Sequence, residues 1–279
     1  MTALIPLGRA ILFAIIGFLI GAGLSAALVE VSGREEMKEP VIAGGYLIAL
    51  IGWLFGIGVW GGWVREWFGA SIKSFDAHGW KRYFGFSTDH KVIGVQYGAT
   101  MVVILLLAGA LAMLMRIELA DSDSNLLSST DYNTVMSLHG IMMIAVAVAA
   151  LMGGFANYVM PLMIGADDVA FPRLNALSYW IVPPVAVLLL LTPVFGGMDT
   201  GWTAYPPLAS QGSTGNLLFL MAFATFGISS ILGGLNFIAT IITMRAPGMT
   251  WSRLPIFVWA VFAASLISLT ATQFVAYAL

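Results

Sequence analysis

The sequence predicts an all-α fold, a polytopic transmembrane bundle of seven spanning helices. Hydrophobic residues make up 59% of the chain and charged residues only 9%, whereas about a quarter of the residues in a soluble domain are charged. The mean hydropathy is +0.93. The hydrophobic residues are gathered into stretches of about twenty residues or more, the length of helix that crosses the hydrocarbon core of a bilayer.

The first two apolar stretches form a hairpin ahead of the rest. Residues 10–29 are followed by an acidic loop, and residues 41–64 form the second stretch. A polar segment, residues 65–91, then separates the hairpin from the third stretch. This change in composition predicts a two-helix extension over residues 1–80 and a larger helical unit over residues 81–279.

Five further apolar stretches follow, each long enough to cross a bilayer as a helix. The third stretch ends at an arginine, and the fourth contains no charged side chain. Polar loops that contain glycine and proline separate the last four stretches from one another. The five predicted helices cover residues 92–115, 135–164, 174–193, 216–244 and 254–279.

The composition also excludes several classes of protein. The chain has no cysteine, which excludes disulfides, thiolate metal sites and c-type haem attachment. The net charge of −2 gives no indication of nucleic-acid binding. No phosphate-binding loop, nucleophile elbow or paired carboxylate motif occurs, so the sequence gives no support to hydrolase or phosphoryl-transfer chemistry.

Basic residues are concentrated on one side of the predicted bundle. By the positive-inside rule this side is cytoplasmic, or the equivalent negative side. His139 then lies near the outer face, and Asn157, Asp167 and Asp168 lie near the inner face. The inner basic residues are Arg9, Arg65, Lys73, Lys81, Arg82, Lys91, Arg173, Arg245 and Arg253, whereas the outer loops hold Arg34, Lys38 and Arg116.

The uncharged fourth stretch carries two polar residues of special interest. His139 and Asn157 are eighteen residues apart. In an uninterrupted helix that is about five turns, so both point from one face, roughly 27 Å apart along the axis. Polar groups at membrane depth are costly and usually face a cofactor, a partner or a water path. His139 fits a metal ligand and, equally, a histidine hydrogen-bonded to a neighbouring helix.

Polar residues near the inner ends of later stretches have simpler explanations on spacing alone. Ser229 and Asn236 are seven residues apart and share a helix face, with Ser230 beside them. Hydrogen bonding between helices is the commoner reason for such residues. Asp167 and Asp168 suit a solvated loop.

Two residues at helix ends also have a simple structural explanation. Asn175 opens the fifth stretch and suits a helix N-terminus or a turn. Arg116 ends the third stretch, where a long cationic side chain reaches the membrane interface.

Longer motifs then identify a family. From Phe84 onward the chain resembles the largest subunit of the haem–copper oxidases, the cytochrome c oxidase subunit I family. The residues before about Trp80 do not share the resemblance and form an added two-helix extension. The motifs that carry it, in chain order, are STDHKVIGVQY, MRIEL, HGIMM, GGFANYVMPLMIGADDVAFPRLNALSYW, GWTAYPPL and SSILGGLNFIATIITMRAPGMTW.

The resemblance implies a low-spin haem a near the outer face. His139 matches one of its axial ligands, and the other ring nitrogen should be fixed by a hydrogen-bond acceptor. Arg116 matches an arginine at the haem periphery, and Trp202 matches a tryptophan near the haem propionates. Glu118 matches a carboxylate of a peripheral Ca²⁺ or Na⁺ site found in some members.

The resemblance also implies a proton path from the inner face, the D channel of the family. Asp168 matches its entrance. A carboxylate that leads to amides and hydroxyls is what a water-filled proton path needs. The residues that match its polar lining are Asn157, Asn175, Ser229, Ser230 and Asn236, and Tyr97 is included with them.

The sequence departs from the family pattern at several positions. Asp167 stands where the family usually has proline, Ala176 where it has a second asparagine, and Ala156 where glycine is common. Quinol-oxidising members carry an arginine and an aspartate at the positions of Leu107 and Leu111. Because aliphatic side chains cannot hydrogen-bond a quinol, we expect cytochrome c or a small copper protein as the electron donor.

The sequence also has fewer histidines than the family needs. It contains His78, His90 and His139, whereas the resemblance implies two more histidines for the haems and three for a copper, all in later helices. We therefore expect the N-terminal part of an oxidase subunit I, either a truncated sequence or one piece of a split subunit. Alone, it should not reduce O₂.

The sequence thus predicts part of the catalytic subunit of a proton-pumping cytochrome c oxidase, with haem a bound here and haem a3 and copper held by the complete enzyme. Its expected partners are the remaining subunit I helices, subunits II and III, the donor protein and the lipid bilayer, without nucleic acid. A prokaryotic plasma membrane is favoured over the mitochondrial inner membrane. The alternative is a non-catalytic membrane assembly or haem-binding subunit.

Overall fold

The computed structural model describes residues 5–33, 38–61, 64, 68, 79–122 and 126–278, with side chains described as far as residue 272. Within these ranges the chain is helical and has no strand. The main helices are α1 (Ile5–Val31), α2 (Glu39–Ile57), α3 (His90–Glu118), α4 (Ser129–Ile164), α5 (Pro172–Leu191), α6 (Thr214–Thr243) and α7 (Ile256–Ala278).

Helices α1 to α6 are each long and apolar enough to cross a membrane. Helix α7 has 23 residues, and its apolar part is shorter over the residues whose side chains are described. The predicted fold class, an all-α polytopic bundle, is confirmed. Short 3₁₀ helices occur at Gly79–Phe84, Thr192–Phe195, Leu208–Ser210 and Trp251–Arg253.

Capping side chains extend two helices beyond their predicted starts. Ser128 Oγ accepts a hydrogen bond of 3.1 Å from the Asp131 backbone N–H, so α4 begins six residues earlier than hydropathy indicated. Asp89 Oδ1 accepts 2.8 Å from the Lys91 N–H at the start of α3. Both are polar N-cap residues, which satisfy backbone donors that have no partner inside the helix.

The second predicted helix is shorter than expected. Helix α2 ends at Ile57 because Gly58 adopts a left-handed conformation with φ 108°, a backbone geometry that glycine tolerates without strain. The prediction of one helix as far as Val64 is therefore wrong. Residues 62–63, which it also covered, lie outside the described part of the chain.

Helix α4 contains a π-helical segment, Met142–Ala147, between His139 and Asn157. A π-helix closes i→i+5 hydrogen bonds instead of i→i+4. The helical period therefore changes between the two residues, and the five-turn calculation that placed both side chains on one face does not hold. They still lie toward opposite ends of α4.

Glycines allow α1 and α2 to pack with their backbones nearly touching. A Cβ atom added to Gly17 would meet the backbone of Ile48 and Ala49, and one added to Gly56 would meet the backbone of Ala10. Small residues at such interfaces are typical of helix pairs in membranes. This hairpin lies against α5 and α6, where Trp53 Nε1 donates 2.8 Å to the carbonyl oxygen of Trp180.

The main hydrophobic core lies between α3, α4, α5 and α6 and extends to buried residues of the hairpin such as Tyr46 and Leu54. Side chains such as Ile93, Met142 and Phe219 are almost fully buried there. A smaller cluster, which includes Met160 and Ile241, joins α4, α6 and α7. Helix α5 is the most enclosed of the spanning helices and carries polar residues into the middle of the bundle.

Candidate functional site

His139 is oriented by a neighbouring helix. Its Nδ1 lies 2.9 Å from the carbonyl oxygen of Ala108 on α3. A carbonyl can only accept, so Nδ1 carries the proton and Nε2 keeps its lone pair. The side chain is half-buried. A metal-ligating histidine usually has its second ring nitrogen fixed in this way, so the residue fits an axial haem ligand and also has the interhelical hydrogen bond considered above.

Trp202 lies beside the next residue of α4. A Cβ added to Gly140 would be 3.2 Å from Trp202 Cδ1, so the glycine makes room for the indole. The loop that carries Trp202 is tied to α4, because the Gly201 N–H donates 3.0 Å to Ser137 Oγ and the Met198 N–H donates 3.1 Å to Thr134 Oγ1. The structure thus brings together His139 and Trp202, which are far apart in sequence.

Arg116 and Glu118 lie at the outer end of α3. Arg116 is exposed and eight residues, about 12 Å of helix, beyond Ala108. Glu118 Oε2 accepts hydrogen bonds from the Leu126 and Leu127 N–H groups, at 3.0 and 3.1 Å. In the described residues no three His, Cys, Asp or Glu side chains could jointly hold a metal. The peripheral cation role of Glu118 stays a prediction.

Asp168 lies in the inner loop between α4 and α5. It is half-buried, and its Oδ1 accepts 2.7 Å from the Val169 N–H. Burial raises the pKa of the Asp168 carboxyl above its usual value, while the backbone hydrogen bond and nearby His90 partly oppose the rise. Asp168 is therefore easier to protonate than an exposed aspartate.

Two asparagines join α4 to α5 above this loop. Asn175 Nδ2 donates 2.5 Å to Asn157 Oδ1, and Asn157 Nδ2 donates 2.8 Å to the Gly153 carbonyl. Asn175 Oδ1 is buried and has no partner among the described residues. Buried polar atoms of this kind are usually satisfied by water, so the pair is suited to hold one.

His90 is part of the same inner group, a role the sequence did not indicate. Its Nδ1 lies 2.7 Å from the Asn157 carbonyl oxygen, and its Nε2 is buried without a partner in the described structure. His90 also interacts electrostatically with Asp168. His78, the third histidine, lies outside the described residues.

A cavity of about 140 Å³ lies deeper in the bundle between α3, α4, α5, α6 and α7. Tyr97 OH is 3.2 Å from Ser178 Oγ, and Ser229 Oγ donates 2.6 Å to the Ser178 carbonyl. A cavity of this size has room for several waters. Its wall is mainly apolar and carries hydroxyl and amide groups that can hydrogen-bond water. The polar residues that line it are Tyr97, Asn157, Ser178, Ser229, Ser230, Ser265 and Ser268.

Asn236 has a different position from the other predicted lining residues. Its Oδ1 accepts 2.8 Å from the Phe171 N–H, and Thr240 Oγ1 one turn later accepts 2.9 Å from the Ala170 N–H. Asn236 therefore holds the loop that carries Asp168. Its Nδ2 is buried with no partner in the described part of the chain.

Three serines in this region were missed by the sequence reasoning. Ser178 is three residues after Asn175, so the i, i+3 spacing on one helix could have identified it. Ser265 and Ser268 lie in the last helix, and Ser268 Oγ is 2.8 Å from Ser230 Oγ. Ser265 and Ser268 are also three residues apart, but no spacing within α7 connects them to Ser230, because these residues come together only when α6 and α7 pack.

Comparisons with known proteins show the family of the chain. The family model of cytochrome c and quinol oxidase polypeptide I matches residues 92–279, which include nearly all of α3 and all later helices. Cytochrome c oxidase subunit 1 of Thermostichus vulcanus is 48% identical over 199 residues, 71% of this chain and 36% of the relative.

Other relatives match to a similar extent. Cytochrome c oxidase subunit 1 of Synechocystis sp. is 42% identical over 201 residues, 72% of this chain and 36% of the relative. A probable cytochrome c oxidase subunit 1-alpha of Streptomyces avermitilis is 44% identical over 199 residues, 69% of this chain and 34% of the relative. The chain spans about a third of the length of these curated relatives. The chain belongs to the cytochrome c and quinol oxidase polypeptide I family.

Proposed function

We propose that this chain is the N-terminal part of the catalytic subunit of a terminal respiratory oxidase. It binds a low-spin haem a through His139 and takes up protons through the group that begins at Asp168. The observation that carries the proposal is the geometry of His139, whose Nδ1–H is bound by the Ala108 carbonyl so that Nε2 is free to ligate. The family assignment supports it.

The haem supplies one-electron transfer when it is bound. His139 would hold the iron through Nε2, and the Ala108 carbonyl would keep the imidazole in the required tautomer. Trp202 is placed beside this turn of α4, and Arg116 lies at the same end of α3. In the complete enzyme, the reduction of O₂ to water would need haem a3 and copper, whose ligands would come from later helices.

We assign proton uptake to the polar residues near the inner loop, Asp168, Asn157 and Asn175. Asp168 collects a proton at the loop, and water held by the Asn157–Asn175 pair connects it to the cavity lined by Tyr97 and Ser229. The raised pKa of Asp168 supports this role, since a carboxyl that exchanges protons readily needs a pKa above that of a fully solvated aspartate.

The electron donor is proposed to be cytochrome c or a small copper protein. Leu107 and Leu111 stand where a quinol site would need polar side chains, and the relatives described above are named cytochrome c oxidases. The complete enzyme also contains the remaining subunit I helices and subunits II and III, in a prokaryotic plasma membrane. Quinol oxidation without turnover of either donor protein contradicts this assignment.

The test of the haem assignment replaces each described histidine in the complete enzyme. His139→Ala is expected to abolish the low-spin haem band in the visible spectrum of the purified oxidase. The matched control is His90→Ala, which removes a buried histidine at the opposite end of the bundle and should leave that band in place. A low-spin haem band that survives His139→Ala refutes the proposal.

A further inference from the structure

The N-terminal hairpin and the rest of the bundle form the walls of a partly open apolar cavity. The cavity has a volume of about 480 Å³ and only carbon surface faces it. One wall is formed by α1 and α2, and the other by α5 and the start of α6. Residues from both walls include Phe18, Leu50, Pro184, Val187 and Leu218.

Two hydrogen bonds join these walls and fix the distance between them. Trp53 Nε1 donates 2.8 Å to the Trp180 carbonyl, and Tyr46 OH donates 3.0 Å to Thr225 Oγ1. In a regular helix the Trp180 carbonyl would accept from residue 184, but Pro184 has no N–H. Trp53 therefore satisfies a carbonyl that the proline leaves free, which fixes the hairpin at this position on α5.

The same bonds remove polar groups from the cavity. Trp53 and Tyr46 both line it, yet their N–H and O–H groups are directed to partners on α5 and α6. A ligand with a buried polar group would find no hydrogen-bond partner there, and burying it unpaired is costly. Water is excluded for the same reason, since apolar cavities stay dry.

The size of the cavity further limits which molecules can occupy it. A volume of about 480 Å³ lies within the usual range of small-ligand sites, about 300–1,000 Å³. A second transmembrane helix, about 10 Å across and about 30 Å long, has several times this volume and does not fit. Leaving the space empty would deprive every wall of dispersion contacts. Hydrocarbon chains are the apolar molecules that surround the protein at this depth.

The cavity is also open to the hydrocarbon chains of the bilayer. It continues the interface between the hairpin and α5, and lining residues at its edge, such as Ile15 and Val187, are exposed toward the bilayer at 55% and 54%. Leu218 and Tyr46, deeper inside, are only 5% and 7% exposed. We propose that one acyl chain of a membrane phospholipid occupies this cavity as a bound structural lipid. The proposal is independent of the haem and proton-path assignments.

The test uses the full chain in phosphatidylcholine vesicles that contain a phosphatidylcholine with a photoreactive diazirine on its acyl chain. After illumination, labelled peptides are mapped by mass spectrometry. The expected result is label on the buried lining residues Leu218 and Tyr46, and none on Leu189, which is equally buried on α5 but does not line the cavity. Absence of label from both lining residues overturns the proposal.

A pair of variants gives a second measurement. Val187→Trp fills the cavity from α5 and should cause loss of most label at Leu218. Val103→Trp is the matched control, because Val103 is 56% exposed and lies on α3 away from the cavity. In this variant Leu218 should be labelled to the same extent as in the natural chain. Equal labelling of Leu218 in the two variants shows that no acyl chain enters the cavity.

Discussion

At the scale of single residues, Asp168 shows how position changes an ordinary carboxyl group. Partial burial raises its pKa above the usual 3.8. The folded chain therefore binds this proton more tightly than the unfolded chain does. The stability that this preference gives is fully present below pH 3.8, the ordinary value, and is lost as the pH rises through the raised folded-state pKa.

We expect infrared titration of the complete enzyme to show a protonated carboxyl band that disappears at a pH above that of exposed aspartates. Asp168→Asn should remove this band and slow proton uptake, while the low-spin haem stays bound. Asp167→Asn, in the exposed neighbouring residue, is the control and should leave the band unchanged. Proton uptake at the natural rate in Asp168→Asn contradicts the assignment of the path entrance.

Asn157 allows a second residue-scale prediction. Its Nδ2 donates to the Gly153 carbonyl, and its Oδ1 accepts from Asn175. Asn157→Asp keeps an acceptor for Asn175 but places a negative charge inside the path and against the Gly153 carbonyl. We expect the number of protons pumped per electron to fall more than the rate of O₂ reduction, as measured in reconstituted vesicles. An equal fall in both quantities contradicts a specific role in the path.

At the scale of helices, Trp53 is one of two side chains that hydrogen-bond the hairpin to the rest of the bundle. Trp53→Phe keeps the aromatic ring but leaves the Trp180 carbonyl without its donor. Hydrogen bonds between membrane helices are each worth about 0.6 kcal/mol on average and rarely exceed 2 kcal/mol. We expect the free energy of unfolding, measured by denaturing-detergent titration, to fall by about that amount.

Trp80→Phe is the control for this loss. Trp80 is exposed and lies outside the spanning helices, so its replacement should change the free energy of unfolding little. Equal effects of the two substitutions indicate that the Trp53 hydrogen bond does not anchor the hairpin.

At the scale of the whole molecule, the two described histidines lie at opposite ends of the bundle. His90 contacts the Asn157 carbonyl near the inner loop, and His139 contacts Ala108 at the outer half of α3. Ala108 is eighteen residues beyond His90 in the same helix, roughly 27 Å along its axis. His90 therefore cannot supply a second ligand to an iron held by His139.

The chain purified without other subunits should therefore bind haem weakly or heterogeneously, hold no stoichiometric copper and consume no O₂. Visible spectra, metal analysis and an oxygen electrode with a reduced donor measure these three properties. Cyanide-sensitive O₂ uptake, or a bis-histidine haem spectrum that persists in His139→Ala, contradicts the prediction.

The sequence alone determined the helices and the family. Each residue's preference for the bilayer is a local property, so summed hydropathy located the seven helices before any contact was known. Hydropathy and the distribution of basic residues were also sufficient to place His139 near one end of the fourth stretch and Asp168 in the loop beyond its other end. Boundaries were less accurate where a capping side chain or a left-handed glycine decides them, as at Ser128 and Gly58.

Only the tertiary structure decided how residues of different helices meet. The Trp53 bond to Trp180, the Asn175 bond to Asn157 and the His90 contact with the Asn157 carbonyl join positions between 18 and 127 residues apart. Their formation depends on the relative rotation and depth of two packed helices, which neither helix's own pattern specifies. The π-helical segment of α4 changes that rotation between His139 and Asn157, because extra residues per turn shift the phase of every side chain beyond it.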